Sequence, residues 1–146
     1  MDEKDEKIVM ILKKNAKLST HEISKKTLIP ITTVHNRIKK LEKDEIIKGY
    51  TVNLDYAKLG KALSAYTLVS VDYPSLKQIK MNQEQLARKL MSYDEVEESS
   101  MVTGAFDMVL KIRAKSMADL DKFITGVLRE QKGIGATQTL MVLHEL

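Results

Sequence analysis

Up to Leu41 the apolar residues recur at helical spacing, whereas from Ala62 they alternate with a period of two. No single element satisfies both periods. The chain of 146 residues is therefore expected to build two modules, an all-helical one followed by one based on a sheet.

In the helical part, a first helix is expected from about Asp2 to Asn15. Asp2, Glu3, Asp5 and Glu6 sit against the positive end of its dipole, and Ile8, Ile11 and Leu12 form its apolar stripe. Ser19 and Glu22 make an S-x-x-E capping box, in which two side chains satisfy each other's free backbone donors, so a second helix opens near Thr20. Past Leu28, Ile29 and Pro30, the residues Val34, Ile38 and Leu41 fall at i, i+4 and i+7 on one face of a third helix. Leu18, Ile23 and Leu28 are expected to close a small core with them. The opposite face carries Thr32, Thr33, Asn36, Lys39, Lys40 and Lys43. Two short helices around a tight connection form a helix-turn-helix. Ile46 and Ile47, leading through Lys48, Gly49 and Tyr50 into Thr51, Val52 and Asn53, predict a short β-ribbon or wing, followed by a linker with Asp55, Lys58 and Gly60.

In the second part, Leu63, Ala65, Thr67, Val69 and Val71 alternate with Tyr66, Leu68 and Ser70 as in a strand, and both faces are fairly apolar. Such a sheet is covered on both sides, by helices on one and by another subunit on the other. Tyr73, Pro74 and Ser75 predict a longish loop reaching Met81. Asn82 with Gln85 caps a helix that turns Leu86 and Leu90 inward. Val96–Val102 and Met108–Ala114 predict two strands of a hairpin around Gly104, and Ser116 with Asp119 starts a helix carrying Leu120, Phe123, Ile124, Val127 and Leu128. A last strand is expected from Ala136 to Leu146. The order is βαββαβ, the ferredoxin-like split unit. The expected class is α+β, with a winged helix-turn-helix over residues 1–53, a linker over 54–61 and the ferredoxin-like module over 62–146.

Composition narrows the possible functions. Cys is absent, which excludes disulfides, thiolate chemistry and cysteine zinc sites. His21, His35 and His144 lack metal-ligand spacing, and no Ser/His/Asp set or phosphate loop is present, so neither an enzyme nor a cofactor is expected. The charged start and the lack of a long apolar run point to the cytoplasm and away from a membrane. The net charge is +4, and it is unevenly placed: residues 1–60 hold 13 Lys or Arg against 9 Asp or Glu, while the remainder holds 11 of each. That asymmetry is expected of a nucleic-acid module joined to a neutral one.

Val34, the run Asn36-Arg37-Ile38-Lys39-Lys40-Leu41-Glu42 and the run Ile46-Ile47-Lys48-Gly49-Tyr50 resemble the V-x-x-R-I-x-x-L-E and V-I-x-G-Y segments of the Lrp/AsnC, or feast/famine, transcription regulators. Far along the chain, Val102-Thr103-Gly104-Ala105-Phe106-Asp107 is similar to that family's V-x-G-x-[YF]-D turn. Three positions depart from the pattern: Leu28 and Pro30 stand where the family usually has a small turn residue and a Ser cap, and Glu45 stands where it often has Gly.

The resemblance implies a regulator that binds double-stranded DNA through a recognition helix in the major groove. Thr20, Thr32, Thr33, His35 and Asn36 are the candidates near bases and neighbouring phosphates, with Lys39, Lys40, Lys43 and Lys48 neutralising phosphates. Arg37 lies closer to the buried stripe and either braces the fold or reaches a phosphate. The resemblance further implies a homodimer formed through the sheet, its assembly into tetramers or octamers, and an amino-acid or related effector. Gly104, Phe106, Asp107, Thr137 and Thr139 are the candidate contacts. Turn formation is the competing role for Gly104 and Asp107, and strand propensity for the threonines. Two rivals share parts of this architecture. A decarboxylase of haem biosynthesis would need histidines in the second module, which has His144 alone, and an RNA-recognition module would need stacking aromatics, of which Phe106 is insufficient.

Overall fold

The computed structural model describes residues 1–145 and divides into two compact units, Met1–Leu54 and Asp55–Leu146.

The first unit contains α1 (Glu3–Lys14), α2 (Thr20–Thr27) and α3 (Ile31–Lys43). Reciprocal capping boxes start two of them: Asp2 with Asp5 at α1, and Ser19 with Glu22 at α2. These contacts satisfy donors that the first helical turn leaves free. Ile8, Leu12, Ile23, Ile29, Val34 and Leu41 make the buried core.

Leu28 is not in that core. It occupies the left-handed region at the end of α2 (φ 58), which reverses the chain direction there and leaves its side chain 91% exposed. Ile29 turns inward instead, tied by the Thr27 hydroxyl, which accepts its N–H at 3.3 Å. Glu45 also has positive φ (54), at the end of α3.

Among the described residues no two-stranded ribbon forms at the wing position. The N–H groups of Ile46 and Ile47 both donate to the Leu41 carbonyl, closing the helix, and so are unavailable to a ladder. Residues 48–55 then run without regular structure.

The second unit comprises β1 (Leu63–Val71), α4 (Tyr73–Gln78), α5 (Gln83–Leu90), β2 (Val96–Met101), β3 (Met108–Ala114), α6 (Met117–Phe123), continuing through one π-type turn at Ile124–Leu128, and β4 (Ile134–Met141). The expected loop after Tyr73 is thus a short helix. Asp72 caps it by accepting the Ser75 N–H at 3.2 Å, and Pro74 in the first turn loses no helical bond there.

The four strands are antiparallel in the order β2-β3-β1-β4, the ferredoxin-like arrangement. Ala65, Thr67 and Val69 stand opposite Ile112, Leu110 and Met108 on the face packed against Leu76, Leu86, Leu90, Leu120, Phe123 and Leu128. On the other face Tyr66 lies between Lys111 and Leu140, and Leu68 between Val109 and Gln138. No helix of the described residues is long and apolar enough to cross a membrane.

Candidate nucleic-acid interface and effector turn

Helix α3 buries Val34 and Leu41 and so presents its opposite side to solvent. Thr32, His35, Asn36, Lys39, Lys40 and Lys43 are all exposed, and Thr33 is half-buried. Thr20, at the start of α2, meets Ile31, Thr32, His35 and Asn36 around one shallow depression. The structure therefore brings the α2 and α3 candidates together. No side chain caps α3: Pro30 occupies the cap position, and the first helical bond runs from the Val34 N–H to the Pro30 carbonyl. The N–H groups of Ile31, Thr32 and Thr33 remain without an intrahelical acceptor and suit a phosphate oxygen.

Among the described residues Lys39, Lys40, Lys43 and Lys48 take part in no salt bridge, whereas Arg37 takes part in two. Its Nη1 lies 2.6 Å from Asp2 Oδ1 and 2.8 Å from Asp5 Oδ1. Of its two expected roles, bracing α3 against α1 is the one this geometry serves. The Arg37 guanidinium, with the Asp5 N–H, holds the Asp2 carboxyl down at about 2. After α3, Tyr50 donates its hydroxyl to Glu42 Oε1 at 2.7 Å; that carboxylate and partial burial push the phenol up to about 12. This bond fastens the segment that carries exposed Lys48 to the side of the helix.

In the second unit Gly104 has a φ of 123, which an L side chain rarely adopts, so the turn itself requires glycine. Asp107 is committed to the fold. Its Oδ2 accepts the Val71 N–H at 2.7 Å, its Oδ1 accepts the Tyr73 hydroxyl at 3.2 Å, and its own N–H donates to the Val69 carbonyl. Gln83 adds a bond from its amide nitrogen to the Asp107 carbonyl at 3.1 Å. Burial and the Asp107 charge raise the Tyr73 phenol above its ordinary value. Tyr73 and Gln83 belong to this turn's support, although the sequence marks Tyr73 only as the start of a loop and Gln83 not at all. The available signal was the length of the stretch after Tyr73.

Thr137 and Thr139 stand opposite Val69 and Thr67 of β1, on the face that carries the helices. The Thr139 and Thr67 hydroxyls pair at 3.1 Å, and Thr137 accepts from Arg129 Nε at 3.4 Å. Phe106 is half-buried beside the turn. None of these five candidates lines the cavity between α4 and the start of α5. That cavity, near the turn and of about 660 Å³, is lined instead by Tyr73, Leu76, Lys77, Lys80, Met81 and Gln83, among others.

Comparison with known proteins agrees with both halves. Residues 1–48 match a model of winged helix-turn-helix DNA-binding domains, and residues 65–146 match the Lrp/AsnC ligand binding domain. An HTH-type transcriptional regulator of Pyrococcus furiosus is 36% identical over 141 residues, covering 97% of this chain and 91% of that protein. The HTH-type transcriptional regulator FL11 of Pyrococcus horikoshii is 35% identical over 143 residues, covering 98% and 89%. Among solved structures, the Neisseria meningitidis regulator NMB0573, crystallised as an L-Met complex, superposes with a TM-score of 0.88 at 25% identity, covering 100% of this chain and 92% of that one. AsnC of E. coli gives 0.80 at 26% identity, covering 99% and 93%.

Proposed function

Because the chain belongs to the Lrp/AsnC family of transcription regulators, we propose that it reads a two-fold-symmetric DNA operator as a homodimer whose affinity is set by an amino acid or a related metabolite. It is a DNA-binding regulator and not an enzyme. The observation that carries the DNA reading is the exposed polar side of α3, continuous with Thr20 of α2. Thr20, Thr32, His35 and Asn36 face base edges and adjoining phosphates, Thr33 supports them from its half-buried position, and Lys39, Lys40, Lys43 and Lys48 neutralise the flanking phosphates. Asn36 is the side chain suited to a bidentate pair with adenine. Arg37 acts indirectly, by holding α3 on α1.

One recognition helix reads too few base pairs for useful specificity, and a two-fold dimer doubles them. The sheet face carrying Tyr66 and Leu140, which are 40% and 46% exposed, is the surface for that pairing. Higher assemblies of dimers, as tetramers or octamers, place the Gly104–Asp107 turn against a neighbouring copy, with the effector bound there. The relative crystallised with L-Met supports an amino-acid ligand. Such a regulator works in the cytoplasm, where its DNA lies.

Selection of binding sites from random duplexes tests the first claim: enriched sequences should contain two related half-sites about one helical turn apart, or a multiple of it. Enrichment of single, unpaired half-sites would defeat it. A thermal-shift series against the amino acids tests the second, since a ligand that binds only the folded state raises stability with its concentration. A flat response to all of them would remove the amino-acid effector and leave the DNA reading standing.

A further inference from the structure

Leu28 is the most exposed large apolar residue of the first unit and, among the described residues, one of three non-glycine residues with positive φ. A bulky side chain held in that conformation and aimed at water is costly twice over, and such an outlier is reason to look for a function. It has company. Met10 of α1 is 62% exposed, and Leu28, Met10 and half-buried Ile11 line a shallow depression of about 380 Å³. The remaining charged side chains around it, Lys7, Lys14 and Lys26, are all cationic.

Lys7 is paired with Glu3 at 2.7 Å, while Lys14 and Lys26 have no carboxylate in salt-bridge range among the described residues. Both stand in the last turns of their helices, where a cation complements the dipole. The dipole accounts for the two charges but not for the apolar centre between them.

We propose that this patch docks a partner protein through a short acidic amphipathic helix. Lys7, Met10, Ile11 and Lys14 follow the spacing i, i+3, i+4 and i+7, a stripe two turns long on α1, and Leu28 projects beside it from the end of α2. A partner helix of similar length would seat one or two aliphatic anchors between Leu28 and Met10 and bring carboxylates to Lys14 and Lys26. A DNA backbone matches the lysines but gains nothing from the aliphatic centre. The patch shares no residue with the Thr20, Thr32, His35 and Asn36 depression.

The test is fluorescence anisotropy on the full chain with a labelled synthetic helix carrying Leu at i, i+3, i+4 and i+7 and Glu elsewhere, beside a twin with every Glu replaced by Lys. Saturable binding of the acidic peptide alone is expected. Leu28→Asn or the pair Lys14→Glu and Lys26→Glu should weaken it by about tenfold or more, while Asn36→Ala leaves it unchanged. Circular dichroism checks that each variant stays folded. The proposal is overturned if the acidic peptide does not bind, if both peptides bind alike, or if folded patch variants bind as the parent does. Competition by random duplex DNA that persists when Lys39, Lys40 and Lys43 are replaced together by Ala, which removes the phosphate contacts proposed for α3, would likewise overturn it, marking the patch as a DNA-backbone contact.

Discussion

Arg37 Nη1 lies 2.6 Å from Asp2 Oδ1, so a side chain on α3 is held by the residue that caps the first helix. The same guanidinium nitrogen reaches Asp5 Oδ1 at 2.8 Å. The two carboxylates of the α1 capping box therefore serve two helices at once.

That shared use gives stability a definite pH dependence. The Asp2 carboxyl is depressed from 3.8 to about 2 in the folded chain, so its contribution is fully present above pH 3.8 and is lost as the pH falls through about 2. Arg37→Ala should lower the melting temperature of the first unit at neutral pH and flatten its acid limb across that window. A melting curve followed between pH 5 and 1.5 measures both effects. An unchanged acid limb would show that the ion pair contributes nothing to folding.

Leu28 and Glu45 predict stabilisation by glycine. A residue with a Cβ in the left-handed region costs about 1 to 2 kcal/mol, partly offset because glycine loosens the unfolded chain. Leu28→Gly should therefore raise stability by about 1 kcal/mol, seen as a higher denaturant midpoint at unchanged slope. A lower midpoint would mean that the exposed side chain makes contacts in solution that outweigh its backbone strain.

Gly133 predicts the opposite. Its φ is 95, and a Cβ there would overlap the Leu76 side chain, which is only 2% exposed. Gly133→Ala should destabilise the second unit by about 2 kcal/mol, measurable by chemical unfolding. If stability is retained, Leu76 has room to shift.

The proposed DNA surface predicts two kinds of defect. Lys39→Ala should weaken binding to all sequences alike and lower the slope of log affinity against log salt by about 1. Asn36→Ala should cost about 1 to 3 kcal/mol at its preferred base and relax selection there, leaving the salt slope nearly unchanged. Titrations of operator and scrambled duplexes at several salt concentrations separate the two.

Local patterns carried most of the architecture. The capping boxes at Ser19 and Asn82, and the alternation through β1, depend on residues a few positions apart, and each element begins where they place it. The polar side of α3 was legible for the same reason, since a fixed angle per residue separates it from Val34 and Leu41. What escaped depended on backbone reversals and distant partners. Leu28 and Ile29 are equally apolar, and only the left-handed turn decides which faces inward. Helix α4 is six residues long, too short to establish a period. The carboxylate partners of Arg37 lie on another helix, and Asp107 is bound by Tyr73 from beyond the β1 strand end.

The guanidinium of Arg113, 6% exposed, gathers three segments of the second unit. The Tyr56 ring stacks on it at 3.9 Å, Glu97 accepts from its Nε at 2.8 Å, and Glu145 accepts from both terminal nitrogens at 2.7 and 2.9 Å. Burial opposes the charge, and the carboxylates more than compensate, so the guanidinium pKa is raised. The residues that lead into this unit and those that follow its last strand thus meet on one side chain. Joining them by a few residues and reopening the chain at a surface turn is therefore a route to a circularly permuted second unit that keeps the same sheet.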